Sequence, residues 1–112
     1  MQHKLKFQPI SEFEGDTLYN LLTFSYTGSP LDNDENIKQK WADFDIETYN
    51  NLETVDKCVF ITELNNKAIG FASYDPRQKP IGIIGHNCIV PKYRGNGYGK
   101  QQILEIILIL KK

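Results

Sequence analysis

The chain is poor in the residues that staple a fold or anchor it in a bilayer. Cysteine occurs twice in 112 residues, as Cys58 and Cys88, too few for a disulfide framework. Both sit inside strand-like apolar runs with no His or Asp at ligand spacing. The expectation is two buried free thiols, no metal and a reduced, cytoplasmic setting. No apolar run approaches the roughly 20 residues of a membrane span. Met1–Ile10 is too polar to hold the apolar centre of a targeting peptide. Neither sign of charge dominates: 13 Lys and Arg against 14 Asp and Glu leave a net charge of −1. That balance lacks the basic footprint of a nucleic-acid binder, so neither nucleic acid nor membrane is expected as a partner.

What is present suffices for one small core. The length fits a single domain over 1–112, and 40% hydrophobic content at low net charge argues for a globular chain. Leu5–Pro9 alternates as a first strand ending at proline. Ser11 with Glu14 three residues later makes a capping box for a helix carrying Phe13, Leu18, Leu21, Leu22 and Ser25 on one side. Asp32 or Asn33 can cap a second helix striped by Ile37, Trp41, Phe44 and Ile46. Cys58–Leu64 and Ala68–Tyr74 read as strands joined by a tight hairpin at Asn65-Asn66-Lys67, because Asn tolerates positive φ. After a loop over 75–80, Ile81–Val90 is the next strand. Gly82 and Gly85 inside it signal a bulge or a close backbone approach. From about Gly97 the last helix runs to the end, although Ile106–Leu110 also has strand character.

The most specific stretch is Val90-Pro91-Lys92-Tyr93-Arg94-Gly95-Asn96-Gly97-Tyr98-Gly99-Lys100, between that strand and that helix. Three glycines in five positions let backbone approach a ligand with no Cβ in the way. The first amides of the following helix lack intrahelical partners and point outward at the positive end of its dipole. Such an arrangement binds phosphate, and Arg94 and Lys100 bracket it with positive charge. A dinucleotide fingerprint would need an acidic residue about 20 positions on, and a Walker loop would need Ser or Thr after Gly99-Lys100. Neither is present.

Read as Arg94-x-x-Gly97-x-Gly99 after an apolar strand and Pro91, this stretch resembles the acyl-CoA-binding motif of the GNAT N-acetyltransferase superfamily. The family pattern is Gln or Arg, two residues, Gly, one residue, Gly or Ala. The match covers about residues 81–107, and the order β-α-α-β-β-β-α upstream is compatible. The resemblance implies a GNAT-like α/β fold, a mixed, mostly antiparallel sheet with helices on both faces. It implies acetyl-CoA as cofactor and an amine, small or peptidic, as acceptor. The pyrophosphate would lie on Arg94, Gly95, Asn96, Gly97, Tyr98, Gly99 and Lys100, and the pantetheine arm would pair with the strand end near Ile89 and Val90.

The family continues past its third helix with a further strand, helix and hairpin, whereas this sequence stops at Lys112. The chain therefore reads as the N-terminal part of the fold, with an open edge at 81–90. With Ile103, Ile106, Ile107 and Leu110 on the core side of the last helix, Leu108 and Ile109 are expected to meet water. A homodimer covering edge and helix is one expectation; an impaired, CoA-binding half-fold or a self-associating module is another. Transfer by direct attack requires the amine to lose a proton. The candidates are His86, the strand's one group titrating near neutral pH, Asn87 as an orienter of water or the acetyl carbonyl, and Glu63 on the second strand. Tyr26, near the end of the first helix, is the candidate for the acceptor pocket, and Trp41 is expected in the core.

Overall fold

The computed structural model describes residues 5–55, 58–75 and 83–111. Strands β1 (Leu5–Pro9), β2 (Val59–Leu64), β3 (Lys67–Asp75) and β4 (Ile83–Ile89) form one sheet in the order β1-β2-β3-β4. Every pairing is antiparallel, so no parallel pair occurs among the described residues. The loop expected over 75–80, together with Ile81 and Gly82, falls almost wholly outside those residues. Asn65 and Asn66 make the β2–β3 turn with φ of 53° and 68°, the two positive values a tight hairpin needs.

Helices cover both faces, as expected. On one face α1 (Thr17–Ser25) and α2 (Glu35–Asn50) pack Leu18, Leu22 and Trp41 over Ile61, Phe71 and Cys88. A short α3 (Leu52–Val55) follows α2. On the other face α4 (Tyr98–Leu110) lays Ile106 against Phe60, Ala72 and Tyr74. Ile106–Leu110 is therefore helical, and its strand character is overridden by this packing.

The helix starts differ from the sequence expectation. Ser11 lies in a 3₁₀ turn over Ile10–Glu12, and α1 starts only at Thr17, so Ser11 is not its N-cap. α1 begins after Asp16, which is left-handed at φ 74° and caps nothing with its own side chain. Asp45 of α2 does so instead: its Oδ1 accepts from the Asp16 amide (3.0 Å) and its Oδ2 from the Tyr19 amide (2.9 Å). α2 is capped by Asp34, not Asp32 or Asn33, through its Oδ1 and the amides of Asn36 and Ile37. Ile46 was expected in the α2 stripe but is exposed, while Trp41 is buried. On α4 Leu108 is exposed as expected. Ile107, placed on the core side by periodicity, is also exposed, and Ile109 is half-buried against Phe60 and its neighbours. The reason is Gln102, fully buried one turn before Ile106, which rotates the inward face of α4 away from Ile107.

β4 lies at the edge of the sheet. Its pairing with β3 shifts register between Ala72 and Tyr74, so Gly85 and His86 both stand opposite Ser73. This is the bulge that Gly85 signalled. The His86 amide donates to Ser73 Oγ (2.8 Å), and a Cβ on Gly85 would stand 2.7 Å from that oxygen.

Candidate cofactor-binding site

The glycine stretch becomes a 3₁₀ turn over Pro91–Tyr93, two left-handed glycines and the start of α4. Gly95 has φ 84° and Gly97 φ 80°, values a side chain would strain. The Gln101 amide donates to the Gly97 carbonyl (3.0 Å), which leaves the amides of Tyr98, Gly99 and Lys100 without a helical acceptor. Asn96 turns its side chain back into the loop, donating to the carbonyls of Tyr93 (3.1 Å) and Arg94 (3.4 Å). Its side chain thus braces the loop. Lys100 is exposed on the first turn of α4.

Arg94 ties three elements together. Its Nε donates to the Ile89 carbonyl (2.9 Å) and its Nη2 to the Ser25 carbonyl at the end of α1. The Val90 amide points inward to the Ile69 carbonyl (2.8 Å). By the alternation of an antiparallel strand, the Ile89 peptide groups then face the open edge of β4. Of the two strand-end candidates, Ile89 offers backbone to that edge.

Two adjoining clefts result. One, about 310 Å³, is lined by Asn87, Ile89, Tyr93, Arg94, Gly95, Gly97, Tyr98 and Gly99. The other, about 390 Å³, is lined by Ser25, Tyr26, Thr27, Ser29, Asn87, Cys88, Ile89 and Arg94. They share Asn87, Ile89 and Arg94, so the loop, the strand edge and Tyr26 meet at one place. Tyr26 stacks on Trp41 with ring centroids 5.2 Å apart, and burial raises its hydroxyl above the usual phenol range. Burial pushes the Cys88 thiol up to about 11, so it stays protonated and inert near neutral pH. Cys88 is buried and Cys58 half-buried, and neither is in a disulfide. Ser25 Oγ is buried, lines the second cleft and has no hydrogen-bond partner among the described residues.

The catalytic candidates are not brought together. His86 and Asn87 are neighbours on β4 and point to opposite faces. The His86 ring packs against Phe44 (4.7 Å) and Phe71 (5.5 Å) under α2, where burial lowers its pKa below the ordinary 6.5. Glu63 pairs with Lys6 and Ala68 two strands away from β4. Asn87 alone of the three lines the clefts, and among the described residues no carboxylate or imidazole lines either. Sequence reasoning missed Gln102, which joins Asn87 to the sheet: its Nε2 donates to Asn87 Oδ1 (2.7 Å). The signal available was a polar residue four positions before Ile106 on the inward stripe. Among the described residues no cluster of His, Cys, Asp and Glu is fit to hold a metal, and no helix is long and apolar enough to cross a membrane.

An antiparallel sheet with helices on both faces thus carries a glycine turn, at the start of α4, beside the edge strand β4. The model of the acetyltransferase (GNAT) family matches residues 15–112, and the chain belongs to that family, whose cofactors are acyl-CoA thioesters. Its fold is similar to that of PH1933 from Pyrococcus horikoshii OT3, with a TM-score of 0.71 at 14% identity over 96% of this chain and 72% of that one. PaiA N-acetyltransferase from Thermoplasma acidophilum, in complex with coenzyme A, aligns at a TM-score of 0.47 and 18% identity over 99% of this chain and 73% of that one. No curated protein matches the sequence.

Proposed function

We propose that the chain is an N-acetyltransferase that binds acetyl-CoA and transfers the acetyl group to a primary amine by direct attack, working as a single domain in the cytoplasm. The observation that carries this reading is the set of unpaired amides at Tyr98–Lys100 beside the open edge of β4. The residues fit the cofactor. Amides at a helix N-terminus suit a pyrophosphate, the Ile89 edge suits the amides of a pantetheine arm, and the unpartnered Ser25 hydroxyl offers a further polar contact. When bound, acetyl-CoA supplies the activated thioester. The chain's part is to hold the pyrophosphate with Gly95–Lys100, orient the acyl end with Asn87, and flank the acceptor with Tyr26.

A second reading is CoA binding without transfer. It is favoured because no described residue lining either cleft is a carboxylate or imidazole, and an ammonium acceptor must surrender a proton before it attacks. Glu63 and His86 serve as base only through water or through a rearrangement of the acceptor side. A thiol-release assay across a panel of amines, paired with calorimetry against CoA, separates the readings. Transfer to any amine establishes the enzyme, CoA binding without release establishes the second reading, and no CoA binding sinks both. We also propose a homodimer that covers the β4 edge and the α4 face carrying Leu104, Ile107 and Leu108, which are 49%, 40% and 58% exposed. Burying each such side chain is worth roughly 1.5–3 kcal/mol. A monomer by light scattering at high micromolar concentration would rule the homodimer out.

A further inference from the structure

Gln102 is wholly buried, on the second turn of α4, and both ends of its amide are hydrogen-bonded. Its Oε1 accepts from the Thr62 hydroxyl (2.6 Å). The Phe71 carbonyl, which can only accept, fixes the other end of the amide as nitrogen. Its Nε2 therefore faces the sheet, donating to the Phe71 carbonyl (3.1 Å) and to Asn87 Oδ1 (2.7 Å). The same logic passes one residue further. With its oxygen engaged by Gln102, Asn87 can present only its NH₂ group elsewhere. That Nδ2 lies toward the first turn of α4, 3.6 Å from where a Cβ on Gly99 would stand, and has no acceptor among the described residues. Asn87 lines both clefts.

We infer that Gln102 is a positioning residue: it locks the Asn87 amide with its N–H donors toward the cofactor clefts, so that this point of the site takes a carbonyl oxygen of the ligand. The inference rests on the acyl-CoA reading above. Two carbonyl sources share this chemistry, the thioester of the acyl group and an amide of the pantetheine arm. A relay from the buried Gln102 to the exposed Asn87 selects an acceptor over a donor at that point, because a misoriented amide would set like poles together.

The test is calorimetric titration of the wild-type chain and its variants with CoA and with acetyl-CoA. Gln102→Glu keeps the acceptor for Thr62 but replaces Nε2 with oxygen, which the Asn87 amide can satisfy only by turning its NH₂ inward. Affinity is expected to fall about tenfold. If the thioester carbonyl is the partner, the loss appears with acetyl-CoA alone; if a pantetheine amide is, it appears with both. In an Asn87→Ala background the same Glu substitution should cost less than twofold, which a merely structural role for Gln102 would not produce. The side-chain ¹⁵N–¹H₂ pair of Asn87 should shift in Gln102→Glu without ligand. Because a buried carboxylate can prevent folding, Gln102→Met provides a volume-conserving second variant, expected to weaken binding about threefold by freeing the Asn87 amide. Wild-type affinity in the Gln102 variants, or an equal loss with and without Asn87, overturns the inference while leaving CoA binding intact. A wild-type chain that binds neither ligand overturns the cofactor reading and this inference with it.

Discussion

Removal of the Asp45 carboxylate is expected to loosen α1 from α2 and, through α1, the proposed cofactor site. Asp45 is 3% exposed and accepts from the amides of Asp16 (3.0 Å) and Tyr19 (2.9 Å), the cap and third positions of α1. Asp16 has no capping bond of its own, so the start of α1 depends on a side chain 29 positions away in sequence. Each hydrogen bond to a charged acceptor contributes about 1.5–3 kcal/mol, less what water recovers at the partly open Asp16 amide. Asp45→Ala should therefore cost about 2–4 kcal/mol, a large part of the 5–15 kcal/mol typical of a small domain. Asp45→Asn retains one acceptor and should cost about half as much. With a urea slope of about 1–3 kcal/mol/M, the Ala variant should unfold at a midpoint lower by roughly 1–2 M with the slope unchanged. Glu47→Gln, on the exposed side of the same helix, is the control and should stay within about 0.5 kcal/mol of wild type. If Asp45→Ala unfolds with that control, remote capping is not what holds α1. The far end of α1 carries the Ser25 carbonyl that receives Arg94, so the same variant should also weaken CoA binding.

The glycines of the loop should respond in opposite ways. Gly97→Ala forces a side chain into φ 80° and should cost about 1–2 kcal/mol and most CoA affinity. In contrast, Gly99→Ala meets only ordinary contacts at 3.6 and 3.8 Å inside a helix. It should raise stability by about 0.5–1 kcal/mol in thermal unfolding; equal destabilisation by both would refute the loop geometry. His86 should make the fold acid-sensitive. Burial lowers its folded pKa below 6.5, so the unfolded chain binds the extra proton. The stabilisation is complete above about pH 6.5 and is lost as pH falls from there toward the folded value. His86→Phe should flatten that limb of a urea-midpoint profile between pH 7 and 5, and an unchanged limb would place the titration elsewhere.

The loop was legible because its chemistry is local. Gly95, Gly97 and Pro91 fix backbone angles over a few residues, and Arg94 can be recognised by spacing. The hairpin at Asn65-Asn66 and the Gly85 bulge were legible for the same reason. What was not legible depends on residues far apart in the chain. Ser11 and Glu14 satisfy a local capping rule, yet α1 starts at Thr17, and Asp45 of α2 receives the Asp16 and Tyr19 amides there. Ile107 satisfies helical periodicity, yet burial of Gln102 at its bonds to Thr62, Phe71 and Asn87 sets the rotation of α4. His86 and Asn87 adjoin in sequence, and only the pairing of β4 shows them on opposite faces.

Those long-range contacts decide what the loop can do. Unpaired amides at a helix start attract any anion of suitable size; on their own they distinguish pyrophosphate from sulfate only weakly. Specificity for an extended acyl thioester has to come from groups at fixed positions along its length. Arg94 joins the Ile89 edge to the end of α1, and Asn87 stands between the loop and Tyr26 with its amide held by Gln102. Both side chains are anchored on elements outside the motif: α1, β2 through Thr62, and β3 through the Phe71 carbonyl. A chain that kept the glycine motif but lost Thr62 or Gln102 should still bind pyrophosphate or CoA weakly, and should no longer discriminate among groups at the acyl end. The ratio of acetyl-CoA to pyrophosphate affinity therefore reports the site more faithfully than either affinity alone. Thr62→Val should lower that ratio while leaving pyrophosphate binding within about twofold of wild type.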